Sequence, residues 1–210
     1  MGLGDNFVLW FEMGWEHILD LKGYDHMLFV MLLCLPLGWH PWHHIAWRLS
    51  AFTVGHSLTL LLATWQGFSF GGEWVEVLIV LSIFLTAIFS LRLRPEPSSF
   101  GAEIRNYLLI FFFGWIHGMG FSSYLQSLLG KETQIWLPLV AFNLGVEAGQ
   151  LSILLLWGLL LMTIRGMGKY LSKKGRGGTQ NTYLPWRTWI AGGIALISLY
   201  LVVIRVVELF

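Results

Sequence analysis

A small set of ionisable residues falls inside or beside long apolar segments: His17, Asp25, His26, His56, His117 and Glu147. Burying an unpaired charge in hydrocarbon costs several kcal/mol, so these groups must satisfy one another, bind an ion or line a wet path. Imidazole with carboxylate is the donor set of zinc, nickel, cobalt and iron, whereas all-oxygen donor sets favour magnesium or calcium. The residue types therefore predict a binding site for a divalent transition metal inside the protein.

Two amides and a hydroxyl accompany these candidate ligands. Asn143 and Glu147 are one helical turn apart and Gln150 follows three residues later, so all three share one helix face. Asn143, Gln150 and the Ser57 hydroxyl are expected to support the ligands through hydrogen bonds. The alternative is that all the polar side chains only join neighbouring helices. Glycines flank the same positions and predict close helix approach: Gly55, Gly114, Gly118, Gly145 and Gly149.

The composition is that of a protein embedded in a lipid bilayer. Of the 210 residues, 56% are hydrophobic and only 12% are charged, with a mean hydropathy of +0.66. A soluble domain carries about twice that charged fraction. The apolar stretches predict an all-α, polytopic bundle of about six transmembrane helices, over residues 25–37, 45–65, 75–91, 107–128, 135–164 and 189–207.

An additional helix is predicted ahead of the first span, over residues 6–22. Glu12, Glu16 and Asp20 are spaced four residues apart and share one of its faces, which is typical of an interfacial or re-entrant helix. Residues 1–210 are therefore expected to form a single membrane domain, with the six spans within 25–207. No internal repeat is recognised along the chain.

The charge distribution predicts the orientation of the chain. A net charge of +1 gives no electrostatic basis for nucleic-acid binding. Most of the 13 lysines and arginines fall in the connections after the first, third and fifth spans, including a basic loop at 165–187. The positive-inside rule places these connections in the cytoplasm and both termini on the other side.

Four motifs occur in order at the candidate residues, in segments 14–26, 52–60, 114–121 and 142–151. At these motifs the chain resembles the HupE/UreJ family of bacterial membrane proteins. The resemblance implies a nickel or cobalt permease of the inner membrane, associated with hydrogenase and urease maturation. It further implies that His17, Asp25 and His26 take part in metal uptake, although His17 and Asp25 are further apart here than in those permeases.

Transport is the favoured hypothesis. Asp25, His26 and His17 would capture the metal and pass it on through His56, His117 and Glu147. Neutral imidazoles bind and release metal at moderate affinity, as conduction requires. A transporter with so few spans is also a candidate for homo-oligomerisation.

An intramembrane zinc-dependent hydrolase is the alternative hypothesis. His26, His56 and His117 would hold the zinc, and Asp25 or Glu147 would act as the general base on a bound water. Its substrate would be a lipid or a membrane-anchored peptide. A third hypothesis is a membrane scaffold or assembly protein, in which the polar residues only hold helices together.

Overall fold

A computed structural model of the chain describes residues 3–21, 23–36, 41–66, 72–92, 100–130, 135–174 and 183–210. This part of the chain contains seven helices and no strand. Five of the helices, α3 to α7, are long and apolar enough to cross a membrane. The helices are α1 (Leu3–Leu19), α2 (Tyr24–Cys34), α3 (Trp42–Gln66), α4 (Glu73–Arg92), α5 (Phe100–Leu129), α6 (Trp136–Lys174) and α7 (Tyr183–Glu208).

The predicted all-α membrane bundle is confirmed, with differences at the boundaries of its elements. The first predicted span corresponds to α2, which has only 11 residues. Helix α6 has 39 residues and continues to Lys174, into the segment assigned to the basic loop. Of that loop, residues 175–182 lie outside the described part of the chain.

Helices α3 and α5 pack with their backbones in contact. A Cβ atom at Gly55 would collide with the carbonyl oxygen of Phe111, and one at Gly114 would collide with that of Phe52. Only glycine permits so close an approach of two helices. The contact also brings the Thr59 hydroxyl within 2.9 Å of a backbone acceptor, the carbonyl oxygen of Trp115.

Helices α1 and α6 form a second pair in the same manner. A Cβ atom at Gly14 would collide with the carbonyl oxygen of Phe142, and one at Gly145 would collide with that of Phe11. Further along both helices, the side chain of Ile18 packs over Gly149. The residue numbers rise together in the two helices, so α1 and α6 run in the same direction.

The two helix pairs are copies of one another. The sequence FEMGWEH of α1 (11–17) returns as FFFGWIH in α5 (111–117), and FTVGHS of α3 (52–57) returns as FNLGVE in α6 (142–147). In both pairs, each glycine contacts the carbonyl group of the equivalent phenylalanine in the partner helix. Each pair combines one helix from each copy: α1 packs on α6, and α5 packs on α3. The chain thus contains an internal repeat, contrary to the sequence-based expectation.

The two copies have opposite orientations. Ser57 of α3 bonds to Asn143 of α6, and Thr53 bonds to Gln150, so numbers fall along α3 as they rise along α6. Helices α3 and α6 are therefore antiparallel, and the repeat is an inverted one.

Helices α1 and α2 run in the same direction. His26 of α2 lies beside His56 of α3, and Phe29 lies beside Phe52, so α2 is antiparallel to α3. Helix α1 is parallel to α6 and thus also antiparallel to α3. The path of the chain is therefore interrupted between the end of α1 and the start of α2, and both of these helix ends lie next to the centre of α3.

Candidate metal-binding site

Three histidines from three different helices converge at this interruption. His17 comes from the last turn of α1, His26 from the first turn of α2 and His56 from the middle of α3. Their metal-ligating atoms all lie within 4.8 Å of one another. The ring centroids of His17 and His26 are 4.4 Å apart, and His26 and His56 are 6% and 0% exposed. We call these three residues the histidine cluster.

Most ring nitrogens of the histidine cluster have no protein partner. His17 Nε2, His26 Nε2 and both ring nitrogens of His56 are buried without a hydrogen bond within the described residues. A buried polar atom left unsatisfied costs about 1–3 kcal/mol. A metal ion bound by these nitrogens would remove that cost, because neutral imidazole is a common metal ligand.

His117 of α5 lies directly beside the cluster, with its ring centroid 5.0 Å from that of His26. Its Nε2 lies 2.9 Å from the Ser82 hydroxyl of α4. Ser82 also lies 2.7 Å from the carbonyl oxygen of Ile79; when its single hydrogen is donated there, His117 donates through Nε2 and keeps a lone pair on Nδ1. The buried Nδ1 of His117 has no partner within the described residues.

Ser82 is a site residue that the sequence does not reveal. It is one of three hydroxyl residues in α4, with Thr86 and Ser90, and such residues usually bond only to their own helix backbone. No spacing or motif links it to His117, 35 positions away. Only the packing of α4 against α5 shows that it orients the imidazole.

Four phenylalanines enclose the imidazoles. The rings of Phe121 and Phe142 are stacked 4.9 Å apart, and the Phe121 ring lies 4.1 Å from that of His17. On the other side, Phe29 and Phe52 are fully buried and pack against His117. These apolar walls exclude water and strengthen electrostatic interactions within the site.

A cavity of about 770 Å³ leads to the histidine cluster. His17 forms part of its wall, together with Phe121 and Tyr124 of α5. The carboxylates of Glu16 and Asp20 also line it, and we call this cavity the vestibule. Its acidic lining would raise the local concentration of cations next to His17.

The two predicted carboxylate ligands are not grouped with the histidines in the described part of the chain. Asp25 is half-buried at the start of α2, and its carboxylate oxygens do not belong to the set of ligand atoms within 4.8 Å. Glu147 accepts a hydrogen bond from the Ser50 hydroxyl of α3. It lines a separate groove between α3 and α6.

The three predicted supporting residues connect α3 to α6. The Ser57 hydroxyl donates to Asn143 Oδ1 at 2.6 Å, and Thr53 donates to Gln150 Oε1 at 3.1 Å. Asn143 also lies close to the His56 ring. These bonds hold the two copies of the repeat together where α3 and α6 cross, next to the cluster.

The fold and the site together define a helical membrane protein with a buried cluster of imidazoles at the interface between two inverted repeats. The sequence profile of a family described as HupE / UreJ protein matches residues 2–205, nearly the whole chain. The chain therefore belongs to the HupE/UreJ family. Comparisons with curated proteins and with solved structures give no match.

Proposed function

We propose that this protein transports a divalent transition metal across the membrane, with His17, His26 and His56 as its transient ligands. The supporting observation is the histidine cluster itself: three imidazoles whose ligand atoms lie within 4.8 Å of one another and whose buried nitrogens have no protein partner in the described chain. His117, whose buried Nδ1 has no partner among the described residues, is the next ligand along the path.

The donor chemistry supports a transition metal as the cargo. A site made of imidazole nitrogens suits nickel, cobalt, zinc or copper, and is a poor site for magnesium or calcium, which prefer oxygen. Within this group we propose nickel or cobalt, because the HupE/UreJ family is linked to the transport of these two metals.

The architecture supports transport over catalysis. Many secondary transporters consist of inverted repeats, with an interrupted helix and a binding site at the repeat interface. Here His17 and His26 lie on either side of the interruption between α1 and α2, and His117 occupies the position in α5 that His17 occupies in α1. Rocking of one repeat against the other would expose the cluster to each side in turn.

The described geometry gives less support to the hydrolase alternative. A zinc hydrolase needs a general base beside the metal-bound water, and the two candidates were Asp25 and Glu147. Neither carboxylate belongs to the cluster of ligand atoms in the described residues, and Glu147 is bonded to Ser50. The described residues thus group the three histidines without either of the two predicted bases.

Metal binding by purified protein tests the proposal. The protein in detergent is equilibrated with nickel, cobalt or zinc, and bound metal is quantified by mass spectrometry. We expect exchangeable nickel or cobalt that is lost in His26→Ala and His56→Ala, and retained in His43→Ala, which removes an exposed imidazole at the start of α3. Uptake of the metal into proteoliposomes should likewise be lost in His26→Ala and His56→Ala and retained in His43→Ala.

Two results would contradict the proposal. Folded His26→Ala and His56→Ala proteins that bind as much metal as the wild type would exclude the cluster as the binding site. Stoichiometric zinc that does not exchange during dialysis would indicate a resident metal and favour the hydrolase.

We further propose that the protein lies in the bacterial cytoplasmic membrane with both termini outside the cytoplasm, and that it assembles as a homo-oligomer. The distribution of lysine and arginine supports this orientation. Reporter fusions at each terminus test the orientation, and light scattering of the solubilised protein tests the oligomer.

A further inference from the structure

A second cavity lies where four helices begin or end. It has a volume of about 430 Å³ and is lined by three arginines, Arg48, Arg92 and Arg105. Arg48 lies in the second turn of α3, Arg92 is the last residue of α4, and Arg105 lies in the second turn of α5. Pro36, which follows α2, completes this end of the cavity.

The cavity carries an excess of positive charge. Arg48 is only 9% exposed, and no ion pair within the described residues includes any of the three arginines. The acidic side chain that acts on Arg48 is Glu103 of α5, with the Tyr107 hydroxyl beside it. Among the described residues one carboxylate faces three guanidinium groups, of which Arg48 is buried and Arg92 and Arg105 are exposed. The cavity is therefore complementary to an anion.

The remaining walls are polar near the arginines and apolar beyond them. Ser90 and Asn106 offer hydrogen-bonding groups inside the cavity. Apolar side chains of α2, α4 and α5 form the rest of the lining. One of them, Phe89, is 47% exposed on the outer surface of the bundle. A ligand that fits this lining has a compact anionic end and an apolar part directed toward the membrane.

We propose that this cavity binds the phosphate headgroup of an anionic phospholipid. Guanidinium groups bind phosphate through paired, charge-assisted hydrogen bonds, and basic pockets between transmembrane helices are known sites for such headgroups. The acyl chains would lie along Phe89 and Leu109. The apolar wall and the position at helix ends favour a lipid over free phosphate. The proposal is independent of metal transport.

Lipid-dependent stability of the full chain tests this site. Thermal unfolding of the detergent-solubilised protein is followed during titration with phosphatidylglycerol, phosphatidylcholine or inorganic phosphate. We expect a rise in Tm with phosphatidylglycerol only. Arg92→Gln and Arg105→Gln, at exposed positions, should each weaken the apparent affinity for this lipid about tenfold, because each variant loses charge-assisted hydrogen bonds to the phosphate.

The control variant is Arg205→Gln. It removes the same charge at the other end of the bundle, where Arg205 pairs with Glu76, and should respond to phosphatidylglycerol as the wild type does. Equal stabilisation by phosphatidylcholine or by inorganic phosphate would overturn the proposal, as would unchanged lipid affinity in both cavity variants. An equal loss of lipid affinity in Arg205→Gln would also overturn the proposal, because it would show that lipid binding depends only on the overall charge of the protein. Bound metal, measured in the same samples, reports separately on the proposed transport.

Discussion

Glu147 and the clustered histidines all lie within the bundle, but their polar atoms are satisfied differently. Glu147 accepts a hydrogen bond from Ser50 and faces a groove lined largely by apolar side chains. The imidazole nitrogens of the histidine cluster face one another instead, without partners among the described residues. The Glu147 carboxylate thus already has a hydrogen-bond donor, whereas a bound ligand would satisfy the imidazole nitrogens.

We therefore expect Glu147→Gln to retain bound metal within about twofold of the wild type, a difference of about 0.4 kcal/mol. The amide oxygen of glutamine can still accept the Ser50 hydrogen bond, and no Glu147 oxygen lies in the cluster. Mass spectrometry of bound nickel or cobalt measures this. A loss as large as that in His26→Ala would show that Glu147 coordinates the metal after all.

The residue types of the site could be predicted from the sequence, but only part of its geometry. Buried imidazoles in separate apolar segments predicted a common interior, and the structure brings His17, His26 and His56 together. Helical spacing placed Glu147 on a face with Asn143, but it cannot tell which neighbouring helix that face meets. That face meets α3, where Asn143 bonds to Ser57 and Glu147 bonds to Ser50, so Glu147 is not grouped with the cluster.

At the level of helices, close glycine contacts position the ligands. Helix α1 is held in the bundle mainly by its contact with α6, where Gly14 and Gly145 let the two backbones touch. His17 lies one turn after Gly14, so its place in the cluster depends on that contact. The equivalent contact between α3 and α5 places His56 and His117.

Gly145→Val should therefore separate α1 from α6 and weaken metal binding through His17. The added side chain would collide with the carbonyl group of Phe11, and overpacking of this kind costs about 1–3 kcal/mol or more. Unfolding temperature and bound metal measure the two effects.

Gly192→Val is the matched control. It makes the same substitution in α7, where a Cβ atom would meet nothing within 4 Å. An equal loss of stability and metal in both variants would show that valine harms any of these helices, and would contradict the role of the α1–α6 contact.

The helices themselves could be predicted from apolar length, whereas the repeat could not be recognised. The two copies share mainly a phenylalanine, a glycine and, in α1 and α5, a tryptophan and a histidine. The other equivalent positions carry different residues. Backbone contact constrains only the shared positions, so similarity over a whole helix stays low.

At the scale of the whole molecule, the vestibule links the site to the exterior. Its carboxylates, Glu16 and Asp20, lie beside His17. The double variant Glu16→Gln/Asp20→Asn should raise the metal concentration needed for half-maximal uptake about threefold to tenfold at low salt, with little change in maximal rate. The difference should disappear at high salt, because screening removes long-range attraction.

Uptake into proteoliposomes at two ionic strengths measures this effect. Glu12→Gln is the control, since Glu12 shares the helix face but does not line the vestibule. A salt-independent defect in the double variant would indicate direct coordination by these carboxylates, in place of electrostatic attraction.

The inverted repeat is imperfect at the histidine cluster. His17 has His117 as its counterpart, but the counterpart of His56 is Val146. If the protein transports metal by alternating between two conformations of this repeat, as proposed, these conformations would present unequal ligand sets, and the metal would be held more tightly in one of them. Such a transporter would have different apparent affinities for the metal on the two faces of the membrane, and would saturate at a lower concentration on one side than on the other.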